Sequence, residues 1–281
     1  MEFIWIDLKM IPKGKIFMIK SVEKNHRKSN TKSLVKTLAM LSSFDEQNPM
    51  QRTSDIAERL DMNISTVSRH LNTMLDLGFL ERDEYTGYYF PGPEIVALAG
   101  RSLQANDVYR YSFPEIHRLS YKYHVCGHMA VPQESEVVHL ISSSSENSTD
   151  LLIPMGHKHP MYCSAMGRVF LAYLPPIQAQ AILKNGNLKK YTFGTKIEIS
   201  DINQELILTR KRGYCILINE LTEGTASLAA PVFNRSREPV ASVSVSASAR
   251  SLSKPEREIE LAKAVITAAG RISSKLGYYP E

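Results

Sequence analysis

The sequence predicts an α+β chain of two domains: an N-terminal winged helix-turn-helix, then a C-terminal sensor-type domain of strands with flanking helices. Three observations predict it. The chain has 281 residues, about right for two domains and long for one. Between residues 31 and 90, three short helical patterns are followed by a strand–turn–strand pattern. After Pro91-Gly92-Pro93 the pattern becomes strands mixed with helices. The resulting division is a basic extension at 1–28, the winged helix-turn-helix at 29–92, a linker helix at 93–107 and the second domain at 108–281.

Composition bounds the function classes. A hydrophobic fraction of 43% with 22% charged residues belongs to a folded globular chain and excludes wholesale disorder. No apolar run approaches the roughly 18–20 residues of a membrane span. The opening MEFIWIDLKMIPKGKIF is broken by Asp7, Lys9 and Lys13, so no secretory core is expected. Cys126, Cys163 and Cys215 are odd in number and widely spaced, which argues against a disulfide framework. A cytoplasmic protein without membrane partners is the expectation. The net charge is +5, and the first 44 residues hold nine Lys/Arg against three Asp/Glu. A basic arm before a near-neutral body suits nucleic acid; a solvated tail is the other reading.

The first helix is predicted at 31–43, where Leu34, Leu38 and Leu41 share one face. Asp45–Pro49 breaks it. Ser54 is the expected cap of a short second helix, with Asp55 and Glu58 near the dipole's positive end and Ile56, Ala57 and Leu60 facing inward. A third helix is predicted at 64–77, with Val67, Leu71, Met74 and Leu75 inward and Gly78 as its C-terminal stop. Residues 79–82 and 88–90 then read as a hairpin closed by a Thr-Gly turn. In the second domain, a helix is expected to about 122, strands at 127–131 and 136–141, and a serine-rich loop at 142–150. Helices follow at 164–174, 177–184 and 201–212, the last capped by Ser200. Three strands at 213–218, 226–233 and 239–247 precede a long amphipathic helix at 254–276.

Three stretches carry a resemblance to a known family. They are LDMNISTVSRHLNTMLDLGFLERD with GYYFPGPEIVALA (60–99), MGHKHPMYCSAMGRVFLAYLP (155–175) and RGYCILINELTEGTASLAAPVFNRSREPVASVSVSASARSL (212–252). In that order and separation they resemble IclR-type bacterial transcriptional regulators over almost the whole chain. The resemblance implies a winged helix-turn-helix, a linker helix, a GAF-like α/β effector-binding domain, and homodimers or homotetramers on double-stranded DNA.

In a helix-turn-helix the second helix of the motif presents its N-terminal residues to base edges. Here that points to Ser65, Thr66, Ser68 and Arg69, with Arg69 suited to forked contact with guanine or phosphate. Arg52 and Thr53 suit backbone phosphates, and Arg82 in the wing suits a flanking phosphate or the minor groove. His70 is expected to pack inward rather than touch DNA.

The resemblance also implies a pocket for a small organic acid or sugar-derived acid. Its anion would be held by backbone N–H groups at a helix start, where free donors and a positive dipole end coincide, and by serine hydroxyls. The matching residues are Ser164, Ala165 and Met166 at the helix start, Ser227, the pair Ser244 and Ser246, and Leu217, which stands where some members carry an acid. Asn219 or Glu220 could supply that acid's role.

Two other readings stay open at this point. His157, His159 and Cys163 lie close enough in sequence to serve a metal or redox sensor. An enzyme on the second domain is the other. It lacks sequence support, since no GxSxG elbow or GxxxxGK[ST] loop occurs. No catalytic residue, cofactor or bound metal is therefore assigned.

Overall fold

The computed structural model describes residues 31–145 and 151–279. The basic extension at 1–28 and most of the serine-rich loop lie outside the described residues. The chain divides into two compact units, the first ending at Asn106 and the second starting at Asp107.

The first unit contains α1 (Thr31–Leu41), α2 (Thr53–Arg59), α3 (Ile64–Asp76), strands β1 (Leu80–Arg82) and β2 (Tyr89–Pro91), and α4 (Pro93–Gln104). Its core is Met40, Ile56, Ala57, Val67, Leu71, Met74, Leu80 and Tyr89. The inner faces of α2 and α3 follow the helical period read from the sequence. That of α1 does not: Leu34 and Leu38 are 58% and 53% exposed, and Met40 is the buried residue. The leucine spacing describes a real apolar face, but the small core is filled from the C-terminal end of α1.

The caps also differ from expectation. Arg52, not Ser54, is the N-cap of α2. Its backbone N–H donates to Asp55 Oδ2 at 2.9 Å, so the acid three residues on closes the end that a serine hydroxyl was expected to close. Asn63 caps α3 by accepting from Ser65 N at 2.9 Å. Gly78 stops α3 at a φ of +74°, the left-handed conformation glycine tolerates best. The wing pairs Leu80 with Pro91 and Arg82 with Tyr89. Asp83 Oδ1 holds its turn by accepting from Tyr85 N and Thr86 N, both at 2.8 Å. The helix α4 has no buried residue within this unit.

The second unit opens with α5 (Asp107–Tyr123) and builds one antiparallel sheet. Its strands are β3 (Cys126–Gln133), β4 (Glu136–Ser143), β5 (Lys158–Pro160), β6 (Cys215–Ile218), β7 (Thr225–Phe233) and β8 (Pro239–Ser248), in spatial order β5-β4-β3-β8-β7-β6. Between β5 and β6 come α6 (Ala165–Tyr173), α7 (Pro176–Asn185) and α8 (Ile199–Arg212); after β8 come α9 (Ala249–Leu252) and α10 (Pro255–Lys275).

The strand β8 shows how the sequence sets the two layers. Ala241, Val243 and Val245 join the core that α5 and α10 cover. Ser242, Ser244 and Ser246 alternate with them and face the opposite side. On that side α6 packs over β6, β7 and β8, with Val169, Phe170, Leu171, Ile202 and Leu206 in a second core.

Four local expectations are corrected. Glu198, not Ser200, is the N-cap of α8. Ser142 and Ser143 belong to β4 rather than to the loop. The short edge strand β5 is not legible in the sequence, because three residues, Lys-His-Pro, carry no alternation. The terminal helix begins at Pro255 after a separate single turn, α9, capped by Ser248.

Candidate functional site

On α3, the buried residues Val67, Leu71 and Met74 define one side. Ser65, Arg69 and Asn72, at i, i+4 and i+7, therefore lie together on the exposed side. Thr66 and Ser68 flank that face and are half-buried. The Ser65 hydroxyl donates to Asn63 Oδ1 at 2.7 Å, which fixes it at the helix start. Asn72 is an addition that the sequence motif alone does not single out.

The remaining basic candidates belong to the same unit. The exposed Arg52 guanidinium lies over the Tyr88 ring, 4.7 Å from its centroid, and that of Arg82 lies 5.3 Å from the Tyr89 centroid. Both cations are thereby oriented by wing aromatics. Thr53 is the first residue of α2 rather than a residue ahead of it. His70 is half-buried, and its Nδ1 lies 2.7 Å from Thr37 Oγ1 on α1. It joins two helices of the core, as expected, and does not belong to the exposed face. His70→Ala should lower the stability of this unit by about 1 kcal/mol and leave DNA affinity unchanged. Urea unfolding and a DNA titration check both.

In the second unit, a partly open cavity of about 50 Å³ is lined by all seven residues singled out from the sequence: Ser164, Ala165, Met166, Leu217, Ser227, Ser244 and Ser246. Sheet register explains the convergence. Leu217 pairs with Ser227, Ser227 with Ser246, and Ala229 with Ser244, so three neighbouring strands present these residues on one face. The N-terminus of α6 closes the cavity from above the sheet. Its cap Ser164 accepts from Gly167 N at 3.2 Å and donates to Pro160 O at 2.7 Å. Ser227 Oγ and Ser246 Oγ are 2.8 Å apart. Ser244 Oγ is buried and has no partner among the described residues, a costly state that a polar guest would relieve.

Glu220 also lines the cavity, but it is committed. Arg168, fully buried on α6, reaches it through two bonds of 3.0 and 2.5 Å and donates its Nε–H to Tyr162 O at 2.7 Å. Burial pushes the Glu220 carboxyl up, more than the Arg168 guanidinium and the Lys196 N–H pull it down. A carboxylate clamped in this way is a strut of the cavity wall rather than a free acceptor for a ligand hydroxyl. Asn219 is not among the lining residues. Its Oδ1 accepts from Gly224 N at 2.8 Å in the β6–β7 connection.

The sequence marks the histidines only as metal candidates. His159 stands in β5, and with His139 of β4 it lines the cavity. His157 Nε2 and His159 Nε2 lie 2.9 Å apart, so the two rings meet each other directly. Among the described residues, no group of three or more His, Cys, Asp or Glu side chains is arranged to hold a metal ion. Cys163 is buried, and burial pushes its thiol up to about 12. That is the opposite of a reactive thiolate.

Comparison with known proteins decides the family. Residues 100–274 match the model of the bacterial transcriptional regulator IclR C-terminal domain, and residues 33–84 match the IclR helix-turn-helix domain. The chain belongs to the IclR family. It is 28% identical to the transcriptional repressor IclR of Escherichia coli over 247 residues, 87% of this chain and 90% of that one. An IclR transcriptional regulator from Alicyclobacillus acidocaldarius superposes with a TM-score of 0.80 at 25% identity, covering 89% of this chain and all of that one. An IclR homolog from Microbacterium hydrocarbonoxydans, solved as a complex with 4-hydroxybenzoate, has the same fold. Its TM-score is 0.77 at 22% identity, over 87% of this chain and 99% of that one. The IclR-family chain is thus a transcriptional regulator and not an enzyme, with a helix-turn-helix domain and an IclR-type C-terminal domain. Among its described residues no helix is long and apolar enough to cross a membrane.

Proposed function

We propose that this IclR-family regulator binds a specific double-stranded operator and is switched by a small carboxylate or sugar acid held in the cavity under α6. The observation that carries the reading is the meeting of the α6 N-terminus with three strand serines, one of them without a partner among the described residues, around one partly open cavity. Backbone donors at a helix start favour an anion, and the hydroxyls suit an acid's oxygens. The cavity is small: 50 Å³ is room for roughly four water molecules, so the guest is small or α6 moves to admit it. The acid bound to the Microbacterium relative agrees with this chemistry. The DNA contacts fall to Ser65, Thr66, Ser68 and Arg69 on α3, Arg52 and Thr53 at the start of α2, and Arg82 in the wing. The working form is a homodimer or homotetramer in the cytoplasm.

Fluorescence anisotropy with DNA from beside the protein's own gene, against a scrambled duplex, tests the DNA half. Arg69→Ala should weaken specific binding by about 1–3 kcal/mol and relax discrimination at one base position. Ser246→Ala should bind the operator normally and lose acid response. Normal operator binding by Arg69→Ala would remove α3 as the reading helix.

A further inference from the structure

Beside the cavity stands a chain of four imidazoles that the reading above leaves unexplained. His139 Nε2 lies 2.9 Å from His159 Nδ1, and His159 Nε2 lies 2.9 Å from His157 Nε2. His128 stands edge-on to His139 with ring centroids 6.0 Å apart, and its Nδ1 is 3.0 Å from Ser142 Oγ. His128 and His139 are fully buried.

Proton counting shows that the chain is incomplete. A neutral imidazole carries one donor and one acceptor. With the bonds directed inward from His157, an N–H is left over at His139 Nδ1; directed outward, a bare lone pair is left there. Either way His139 Nδ1 is buried without a partner among the described residues, and so are His128 Nε2, Ser242 Oγ and Ser244 Oγ. These atoms are neighbours by register. His128 sits opposite Ser244, and Ala130 sits opposite both Ser242 and His139. Four orphaned polar groups on one patch of one sheet face are unusual, because buried polar groups are normally satisfied.

The patch is short of negative charge as well as of partners. Burial first, and then the neighbouring imidazoles, hold His139 down to about 2; burial and His159 hold His128 down to about 3; burial and His157 hold His159 down to about 4. These three rings are therefore neutral at neutral pH. The other titratable groups lining the cavity are Cys163, whose raised thiol is uncharged, and Glu220, which Arg168 already engages. An arriving carboxylate would supply the missing counter-charge and make a protonated ring stable there. Ser244 of β8 and His139 of β4 both line the cavity. Their strands are two steps apart in the sheet, roughly 10 Å, so a guest that satisfies both is polar at two places.

We propose that His139 and His159 form a second acid-recognising subsite of this cavity, so that its preferred guest is a small diacid and the guest enters together with a proton. The proton comes from solvent and rests on the His139–His159 pair, with no change in covalent bonding. The inference deepens, and rests on, the reading of the cavity as the effector site.

Calorimetric titration of the full chain with succinate and with butyrate, acids of equal carbon number, tests it in buffers of different ionisation heat. Succinate should bind about tenfold tighter or more, the effect of one added charged hydrogen bond. It should bring in about one proton, and butyrate none. His139→Leu should lower succinate toward the butyrate level and abolish the proton uptake, with a much smaller effect on butyrate than on succinate. His159→Gln, a milder change, should act in the same direction if the leucine variant folds poorly. Equal affinities without proton uptake, with Ser246→Ala weakening both acids, would overturn the subsite and leave the effector reading standing. Failure of both acids to bind, or binding of both that is indifferent to Ser246→Ala, would overturn the two together.

Discussion

Replacing Arg168 by alanine is expected to destabilise the C-terminal unit by about 3–5 kcal/mol, the cost of leaving one member of a buried ion pair unmatched. Arg168 and Glu220 are both buried, and the guanidinium uses two arms on the carboxylate and its Nε–H on Tyr162 O. The carboxylate also accepts from Lys196 N at 3.2 Å. Removing the arginine leaves a buried acid that must either stay charged without a partner or take up a proton. The pair ties α6 to the connection between β6 and β7, two walls of the cavity. Loss of fold stability and loss of acid response should therefore appear together. Urea unfolding followed by circular dichroism measures the first. The double change Arg168→Met with Glu220→Leu should recover most of the stability, since a well-packed apolar pair often replaces a buried ion pair without loss. An Arg168→Ala protein within about 1 kcal/mol of the parent would show that the pair is not the strut described.

Gly167→Ala is the second large effect. A Cβ at this position would lie 2.2 Å from Met161 Cα and 2.6 Å from Met161 O, and neither backbone atom can swing aside. The first turn of α6 would have to move, breaking the Ser164 cap and carrying the N–H groups at the helix start off their line into the cavity. Overpacking of this kind costs about 1–3 kcal/mol, and the functional loss should exceed the stability loss. The expected protein is folded and binds operator, but acid no longer changes its DNA affinity. An unaltered acid response in Gly167→Ala would separate the α6 N-terminus from the ligand.

Features with strong local causes are legible in the sequence. The α3 face, the Gly78 stop and the wing hairpin each rest on short-range periodicity or turn chemistry. The serine–valine alternation of β8 is enough by itself to put Ser244 and Ser246 on one face. Features that depend on partners distant in sequence are not legible. Arg168 and Glu220 are 52 positions apart, and nothing near either residue signals the other. His128 and His139 interrupt apolar strand runs, a faint sign of inward-facing polar groups, but their meeting depends on the pairing of β3 with β4 and β8. The edge strand β5 gains its identity from pairing with β4, not from its own residues. The leucines of α1 illustrate the converse. Their spacing is regular, yet a core of eight buried residues is too small to cover the whole face. The N-caps of α2 and α8 each lie two residues from where the local sequence puts them, the margin within which helix ends are intrinsically soft.

The central claim is that a small acid under α6 sets the affinity of α3 for DNA. The most direct test is an operator titration of the parent protein and of Ser246→Ala, each with and without a saturating small carboxylate identified by its effect on the parent's thermal unfolding. The account predicts a shift of about 5–150-fold in the parent's operator affinity, the usual span of allosteric coupling, and a much smaller shift in Ser246→Ala, with equal affinities for the two proteins in the absence of acid. An equal shift in both proteins, or an acid that binds the parent tightly and leaves its operator affinity unchanged, would contradict it.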